Sequence, residues 1–237
     1  TKRFVAVSDA VKEAMQKTYY MQPSKIDVIA CGIELARFRT LPISSPSNKE
    51  QLNILVLGRL TKQKGQGIAL SASALLSKSE GVHMHIVGDG EERISLQEQV
   101  NTLGLQGKVT IEKAQHDVVS LYKRADIVVV PSVWGEALGL VAMEAMASGK
   151  AVIASKTGGL STLIDHKETG FLVRPGDIQA LSAAIETLIQ KPQERERLGR
   201  AARTYALKHF GIETAAIKYA SLYRRVKDGY SRPSLRA

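Results

Sequence analysis

From Leu52 onward, short apolar runs alternate regularly with helix-forming segments, and few folds can absorb that pattern. The runs are 52–57, 82–87, 109–111, 127–130, 151–154 and 171–173. They are rich in Val, Ile and Leu, with little polar alternation, which predicts strands buried on both faces. Between them, 67–77, 92–102, 118–124, 138–148 and 161–165 predict helices. Alternation of this kind implies βαβ units, an α/β fold whose parallel sheet carries helices on both faces. The segments 177–190, 192–209 and 212–227 predict three terminal helices, the last one amphipathic and packed on the domain. Earlier in the chain, residues 3–7 and 26–30 predict two further short strands. Ser8 stands as the N-cap of a helix over 9–20.

In such sheets ligands bind beyond the carboxyl ends of the strands, so the loops that follow strands are where chemistry is expected. The most informative loop follows the run 126–130. Pro131 and Gly135 break the chain, good helix formers begin near Ala137, and Gly149 stops them. A strand, loop and helix in that order point backbone N–H groups and the positive end of the helix dipole at an anion. Glu136 and Glu144 frame the segment, roughly 12 Å apart along a helix axis at ~1.5 Å per residue. On spacing alone they are either a capping and a solvated glutamate, or two carboxylates accepting from a sugar and a ribose with a diphosphate between them. Trp134 beside them either flanks the sugar or packs the loop.

The loop after the first regular strand reads Gly58-Arg59-Leu60-Thr61-Lys62-Gln63-Lys64-Gly65. It has no G-x-x-x-x-G-K-[ST] phosphate loop. Arg59 and Lys64 are solvated surface charges or, from opposite ends of one loop, two cations that grip a diphosphate. Gly88-Asp89-Gly90 follows the next strand. No third glycine stands at Arg93, so the dinucleotide fingerprint is incomplete. Of five histidines only His83 and His85 share a strand face, and no metal-ligand spacing emerges.

Glu136, seven residues, Glu144 and then Ala145-Met146-Ala147-Ser148-Gly149 resemble the E-x7-E segment of retaining glycosyltransferases of family 4. Residues 58–65 resemble that family's G-R-L-x-x-x-K-G motif, and 87–90 its V-G-D-G turn. Gly158-Gly159 and the T-G-x-L-V of 169–173 fit as well. The resemblance extends from Thr1 to about Arg225. It includes a segment like V-I-x-N-G-I-D in which Cys31 and Glu34 replace the usual Asn and Asp. Lys113 replaces a usual glycine near the nucleobase, and Ser161-Thr162 replace Pro-Glu after the glycine pair.

The resemblance implies the GT-B architecture, in which two Rossmann-like domains face each other across a cleft, with this chain as the C-terminal, donor-binding half. It implies retaining transfer of a sugar from a UDP- or GDP-linked donor to a carbohydrate or lipid-linked acceptor, in glycan, lipopolysaccharide or glycolipid synthesis. Arg59, Lys64 and Glu136 become the catalytic residues: the cations take the departing diphosphate in place of a divalent metal, and Glu136 takes the sugar. Glu144 takes the ribose, and Gly58, Gly88, Ala137, Leu138, Gly139 and Leu140 complete the donor pocket. No metal or cofactor is expected. Two rival readings are a non-catalytic nucleotide-sugar-binding module and a nucleotide-sugar epimerase of the same architecture.

On this reading residues 1–37 are the end of an N-terminal domain and 38–51 a linker rich in Pro, Ser and Asn. Residues 52–228 are the donor domain and 229–237 a basic, disordered tail. The rest of the N-terminal domain is expected as a partner, and the chain alone is expected to transfer no sugar. Composition fits that picture. A formal charge of +10 favours an anionic partner, a nucleotide diphosphate or an acidic membrane surface. Aromatics make up only 5% of residues and do not interleave with Lys/Arg, which argues against nucleic acid. The single cysteine, Cys31, fits a reducing compartment, and no apolar run or signal-peptide pattern suggests export or a membrane span. The expected location is the cytoplasm, with the inner membrane face as an alternative.

Overall fold

The structure is a computed structural model that describes residues 3–41, 43, 51–76 and 80–230. Its centre is a six-stranded, wholly parallel sheet of β3 (Leu52–Leu57), β4 (Val82–Val87), β5 (Val109–Glu112), β6 (Ile127–Val130), β7 (Ala151–Ser155) and β8 (Phe171–Val173). The spatial order is β5-β4-β3-β6-β7-β8. The chain builds outward from β3 in one direction, then returns to β3 and builds outward in the other. All six strands fall where the apolar runs predict them, within a residue at either end.

Continuous apolar runs are needed because both faces of the sheet are covered. Leu55, Val87, Val128 and Val152 point to one side and pack with α4 (Val118–Arg124) and α5 (Leu140–Ala147). Their neighbours Ile54, Ile86, Ile127 and Ile153 point to the other and pack with α2 (Gln66–Ala74), α3 (Arg93–Thr102) and α7 (Ile178–Gln190). Burying each such side chain contributes about 1.5–3 kcal/mol, so polar alternation on either face would be costly. The short α6 (Leu160–Leu163) sits beside α5, and α8 (Pro192–His209) packs against α5 and β7.

The N-terminal residues form a second, two-stranded parallel sheet, β1 (Phe4–Ala6) with β2 (Ile26–Val28), joined by α1 (Asp9–Tyr19). Ser8 caps α1 by accepting from the Val11 amide at 3.2 Å. Helix α9 (Ile212–Tyr230) returns to this unit: Ile33 and Gly211 form a parallel bridge, and Arg225 donates to Asp27 at 3.0 Å. Because α9 runs to Tyr230, the expected tail cannot start at Gly229, and residues 231–237 lie outside the described residues.

Most of the expected linker, residues 42 and 44–50, also lies outside the described residues. Its first residues are packed. Phe38 is 1% exposed and meets the Tyr122 ring edge-on at 5.9 Å, and Leu41 is buried in the same core. A stretch expected as a polar linker is therefore pinned at its start by two apolar anchors. Phe38→Ala should cost about 3–5 kcal/mol in denaturant unfolding, the usual range for a buried aromatic. Ile94→Ala, on the exposed face of α3, should stay within about 0.5 kcal/mol. Equal effects would show that Phe38 does not anchor the segment.

Candidate active site

Strand order reverses between β3 and β6, and the loops leaving their carboxyl ends diverge. A cleft of about 320 Å³ opens there, between Val56 and Leu57 of β3 and Val130 to Ser132 after β6. Val7 and Cys31 of the N-terminal unit also line it. Lys64 and Gln66 reach it from the loop after β3 and the start of α2, and Glu136 to Val141 line it from the loop after β6 and the start of α5.

The two loops are tied together before any ligand is considered. The Val133 amide donates to Gln63 O at 2.8 Å, and Gln63 Nε2 donates to Gly135 O at 3.0 Å. At the start of α2, Gln66 is almost wholly buried and donates through Nε2 to Arg59 O at 2.8 Å, fixing the backbone from which Arg59 projects. A third loop, after β7, braces the glutamate segment. The Gly159 amide donates to Glu136 O at 2.8 Å, and Gly158, in the left-handed region at φ +50°, lies where a Cβ would overlap that same carbonyl. From the N-terminal unit the Ser8 hydroxyl donates to Ala137 O at 2.5 Å.

Helix α5 begins at Leu140, with Gly139 as its N-cap in the left-handed region. This corrects the expectation that the anion-facing turn is 137–140. Ala137, Leu138 and Gly139 are loop, and the first amide paired within the helix is that of Met143, donating to Gly139 O. The amides of the turn that opens at Leu140 are therefore the ones left for an anion. It also corrects the axial distance between the glutamates. Glu136 lies off the helix, so a rise of ~1.5 Å per residue does not describe its separation from Glu144.

Each glutamate uses one carboxylate oxygen within the fold. Glu136 Oε2 accepts from Lys64 Nζ at 2.7 Å and from Ser132 Oγ at 2.9 Å, and its side chain is only 10% exposed. Glu144 Oε2 accepts from the Tyr122 hydroxyl at 2.8 Å. Oε1 of each accepts from no described residue. The bland pairing of a capping and a solvated glutamate is therefore not what the fold contains. Glu136 caps no helix, and Glu144 is held by a wholly buried phenol.

Burial pushes the Glu144 carboxyl above the usual range, while the Tyr122 hydrogen bond and the Arg37 charge pull it down. Tyr122 is pushed well above the usual phenol value, first by burial and then by the Glu144 charge, and so remains a donor.

Lys64, Glu136, Ala137, Leu138, Gly139 and Leu140 thus come together in the cleft. Arg59 and Glu144 do not line it: the Arg59 side chain is exposed and ion-paired to no described residue, and Glu144 stands one turn along α5 from Val141, which does line it. Gly58 and Gly88 do not line it either. They meet backbone to backbone, and a Cβ on Gly88 would overlap Gly58 O, so Gly88 allows the turns after β3 and β4 to close on each other. Arg93 seals that corner, donating to Gly88 O at 2.5 Å and Glu112 O at 2.9 Å. Trp134 is 53% exposed and lies outside the cleft lining. His83 and His85 share a face of β4 with Val87 but do not line the cleft, and they are bonded to Thr110, Glu112 and Asn53. Among the described residues no group of three or more potential metal ligands gathers.

Ser132, Gln66, Tyr122 and Ser8 were not legible as site residues. Ser132 follows Pro131 in the loop already singled out, and its hydroxyl within four residues of Glu136 was the one available signal. Tyr122 reads as an ordinary apolar helix position.

In a doubly wound α/β domain the switch point beyond the carboxyl ends of the strands is where ligands bind, and here that is where the cleft lies. Comparison with known proteins narrows the class of domain. Residues 38–205 match the family described as glycosyl transferases group 1, and the chain belongs to that family. It is 33% identical over 242 residues to D-inositol 3-phosphate glycosyltransferase of Paenarthrobacter aurescens, covering 96% of this chain and 58% of that protein. It is 31% identical to glycogen synthase of Mycobacterium tuberculosis, covering 90% of this chain and 51% of that one. The chain thus spans about half the length of these curated relatives. The crystal structure of Anabaena Alr3699/HepE in complex with UDP superposes with a TM-score of 0.87 at 28% identity, over 95% of this chain and 64% of that one. Sucrose-phosphate synthase from Thermosynechococcus elongatus gives a TM-score of 0.83 at 29% identity, over 95% and 58%. These neighbours are GT-B glycosyltransferases. No helix among the described residues is long and apolar enough to cross a membrane.

The raised Glu144 carboxyl has a consequence for stability. The folded chain holds this proton more tightly than the unfolded one, so stability falls as pH rises through the window from the usual glutamate value to the raised one. At neutral pH the ionised carboxylate therefore weakens the fold. Glu144→Gln should melt higher than the parent at pH 7.5, by about 2–4 °C for each kcal/mol recovered, and the gap should shrink at pH 5. A gap that stays constant or grows toward acid would show that burial does not dominate this group.

Proposed function

We propose that this chain is the donor-binding domain of a retaining, family 4 glycosyltransferase that takes its sugar from a nucleotide diphosphate, UDP in preference to GDP. The observation that carries this reading is the convergence of Lys64, the Glu136 carboxylate and the open first turn of α5 on one cleft at the β3/β6 switch point. The preference for UDP rests on Alr3699/HepE, whose structures are described with UDP and with UDP-glucose.

The diphosphate lies against the N-terminus of α5, where unpaired amides and the helix dipole favour negative charge. Lys64 meets it from the opposing loop, and Arg59, free of ion pairs among the described residues, folds in over it. As the glycosidic bond lengthens, charge builds on the leaving phosphate, and these fixed positive groups stabilise it without a metal. Glu136 Oε1 accepts from sugar hydroxyls while Oε2 keeps its bonds to Lys64 and Ser132, so one carboxylate couples the sugar to the cation on the leaving group. Glu144 accepts from the ribose.

Transfer also needs an acceptor held close to the anomeric carbon and a site closed to water. Residues 1–37 are the end of the domain that provides this, and the rest of it completes the cleft across Val7 and Cys31. The acceptor is a carbohydrate or lipid-linked hydroxyl, and the net positive charge suits work at an anionic membrane face in the cytoplasm. The isolated chain binds donor without transferring sugar.

Titration calorimetry with UDP, GDP and UDP-glucose tests the site. Arg59→Ala should weaken UDP and UDP-glucose alike, about 10–100-fold, as expected for a lost charge-assisted bond to phosphate. Glu136→Gln should weaken UDP-glucose about tenfold while leaving UDP unchanged or tighter, since Lys64 is released to the diphosphate. Full UDP affinity in Arg59→Ala, or equal losses for both ligands in Glu136→Gln, would contradict these roles.

A further inference from the structure

We propose that Tyr122 is a positioning residue for nucleotide recognition: it holds one oxygen of the Glu144 carboxylate and thereby aims the other at the ribose hydroxyls, so that the site selects ribonucleotides over 2′-deoxynucleotides. The proposal rests on the ribose-side reading of Glu144 given above.

A glutamate side chain has three rotatable bonds, and on the surface it samples many orientations. Two hydroxyls on adjacent ribose carbons reward only the orientation that presents a carboxylate oxygen to them. Here one donor removes that freedom. The Tyr122 hydroxyl lies 2.8 Å from Glu144 Oε2, whereas its distance to the Val141 carbonyl is 3.4 Å, so its proton goes to the carboxylate. The phenol itself cannot swing. It is fully buried, and the Phe38 ring stands edge-on to it at 80°. Oε1 of Glu144 accepts from no described residue, so it is the oxygen free to meet a ligand.

The positioning device spans three elements. Tyr122 comes from α4, Glu144 from α5, and Phe38 from the segment that joins the N-terminal unit to the sheet. The charged and titratable groups acting on Glu144 are Tyr122 and, from the turn before Phe38, Arg37. The hydroxyl favours the ionised carboxylate, and only that form is a full acceptor for both ribose hydroxyls.

Tyr122→Phe removes the hydroxyl and keeps the ring that packs against Phe38. Calorimetry with UDP and 2′-deoxy-UDP on the parent, Tyr122→Phe, Glu144→Gln and Glu144→Asp separates the possibilities. Tyr122→Phe should lose about five- to tenfold in UDP affinity with little change for 2′-deoxy-UDP, so that selection narrows. Its loss of UDP binding on acidification should begin at a higher pH than in the parent, because the hydroxyl no longer holds the carboxyl down. Glu144→Asp, whose shorter side chain withdraws from the hydroxyl but keeps the charge, should narrow selection as well. Equal losses for both nucleotides in Tyr122→Phe, or an unmoved acid limb, would reduce Tyr122 to a packing residue and overturn the inference. If Tyr122→Phe does not fold, undiminished selection in Glu144→Asp overturns it instead. Selection that survives Glu144→Gln would refute the ribose-side reading itself. Selection lost in Glu144→Gln but intact in Tyr122→Phe would refute only the positioning role.

Discussion

The site depends on one topological fact, the reversal of strand order between β3 and β6. Adjacent parallel strands whose connections leave to opposite sides cannot close their loops over one another, and the gap between them is the cleft. Everything polar in it hangs on backbone contacts among the turns after β3, β6 and β7. Gln63 bonds to the Gly135 carbonyl and to the Val133 amide, and the Gly159 amide bonds to the Glu136 carbonyl. The loops are therefore built as a unit with the sheet rather than draped over it, which is how a side chain on a loop can be held to a geometry that binding or catalysis needs.

Within that frame the charges are arranged in half-satisfied pairs. The Lys64–Glu136 ion pair is partly buried, and its short length and the added Ser132 bond offset the cost of desolvating both partners. It leaves the lysine with donors and the glutamate with an oxygen still uncommitted. Glu144 is the more costly of the two acids, because burial opposes its ionisation and its main neutralising contact is a neutral hydroxyl. A fold that keeps such a group against its own stability makes it a candidate for a functional role, and that is the argument for proposing Glu144 as a ligand contact rather than as packing.

Much of the fold was legible in the sequence for a simple physical reason. Strands buried on both faces must be continuously apolar, and 127–130 and 171–173 carry no other signal that competes with it. The site was legible in part. Glu136 and Lys64 stand in loops and Glu144 within α5, positions where composition alone is ambiguous, and only the resemblance to family 4 singled out one reading of them. Helix onset was misplaced by two residues, since Ala137 and Leu138 are good helix formers held out of the helix by bonds from Ser8 and the Gly158-Gly159 turn, contacts distant in sequence. Tyr122 and Gln66 were invisible because their roles come from tertiary contact: an aromatic at a helical core position looks the same whether or not its hydroxyl meets a carboxylate 22 residues away.

The central claim is that one cleft, at the β3/β6 switch point, takes the whole nucleotide-diphosphate sugar. An amide-resolved NMR titration of the isolated chain with UDP-glucose tests it most directly. The account predicts saturable shifts concentrated in the amides of 58–65, 135–141 and 157–159, with those around His83, His85 and the exposed face of α9 unmoved. Saturable shifts that leave those three loops untouched, or centre on the β4–β5 face, would contradict it.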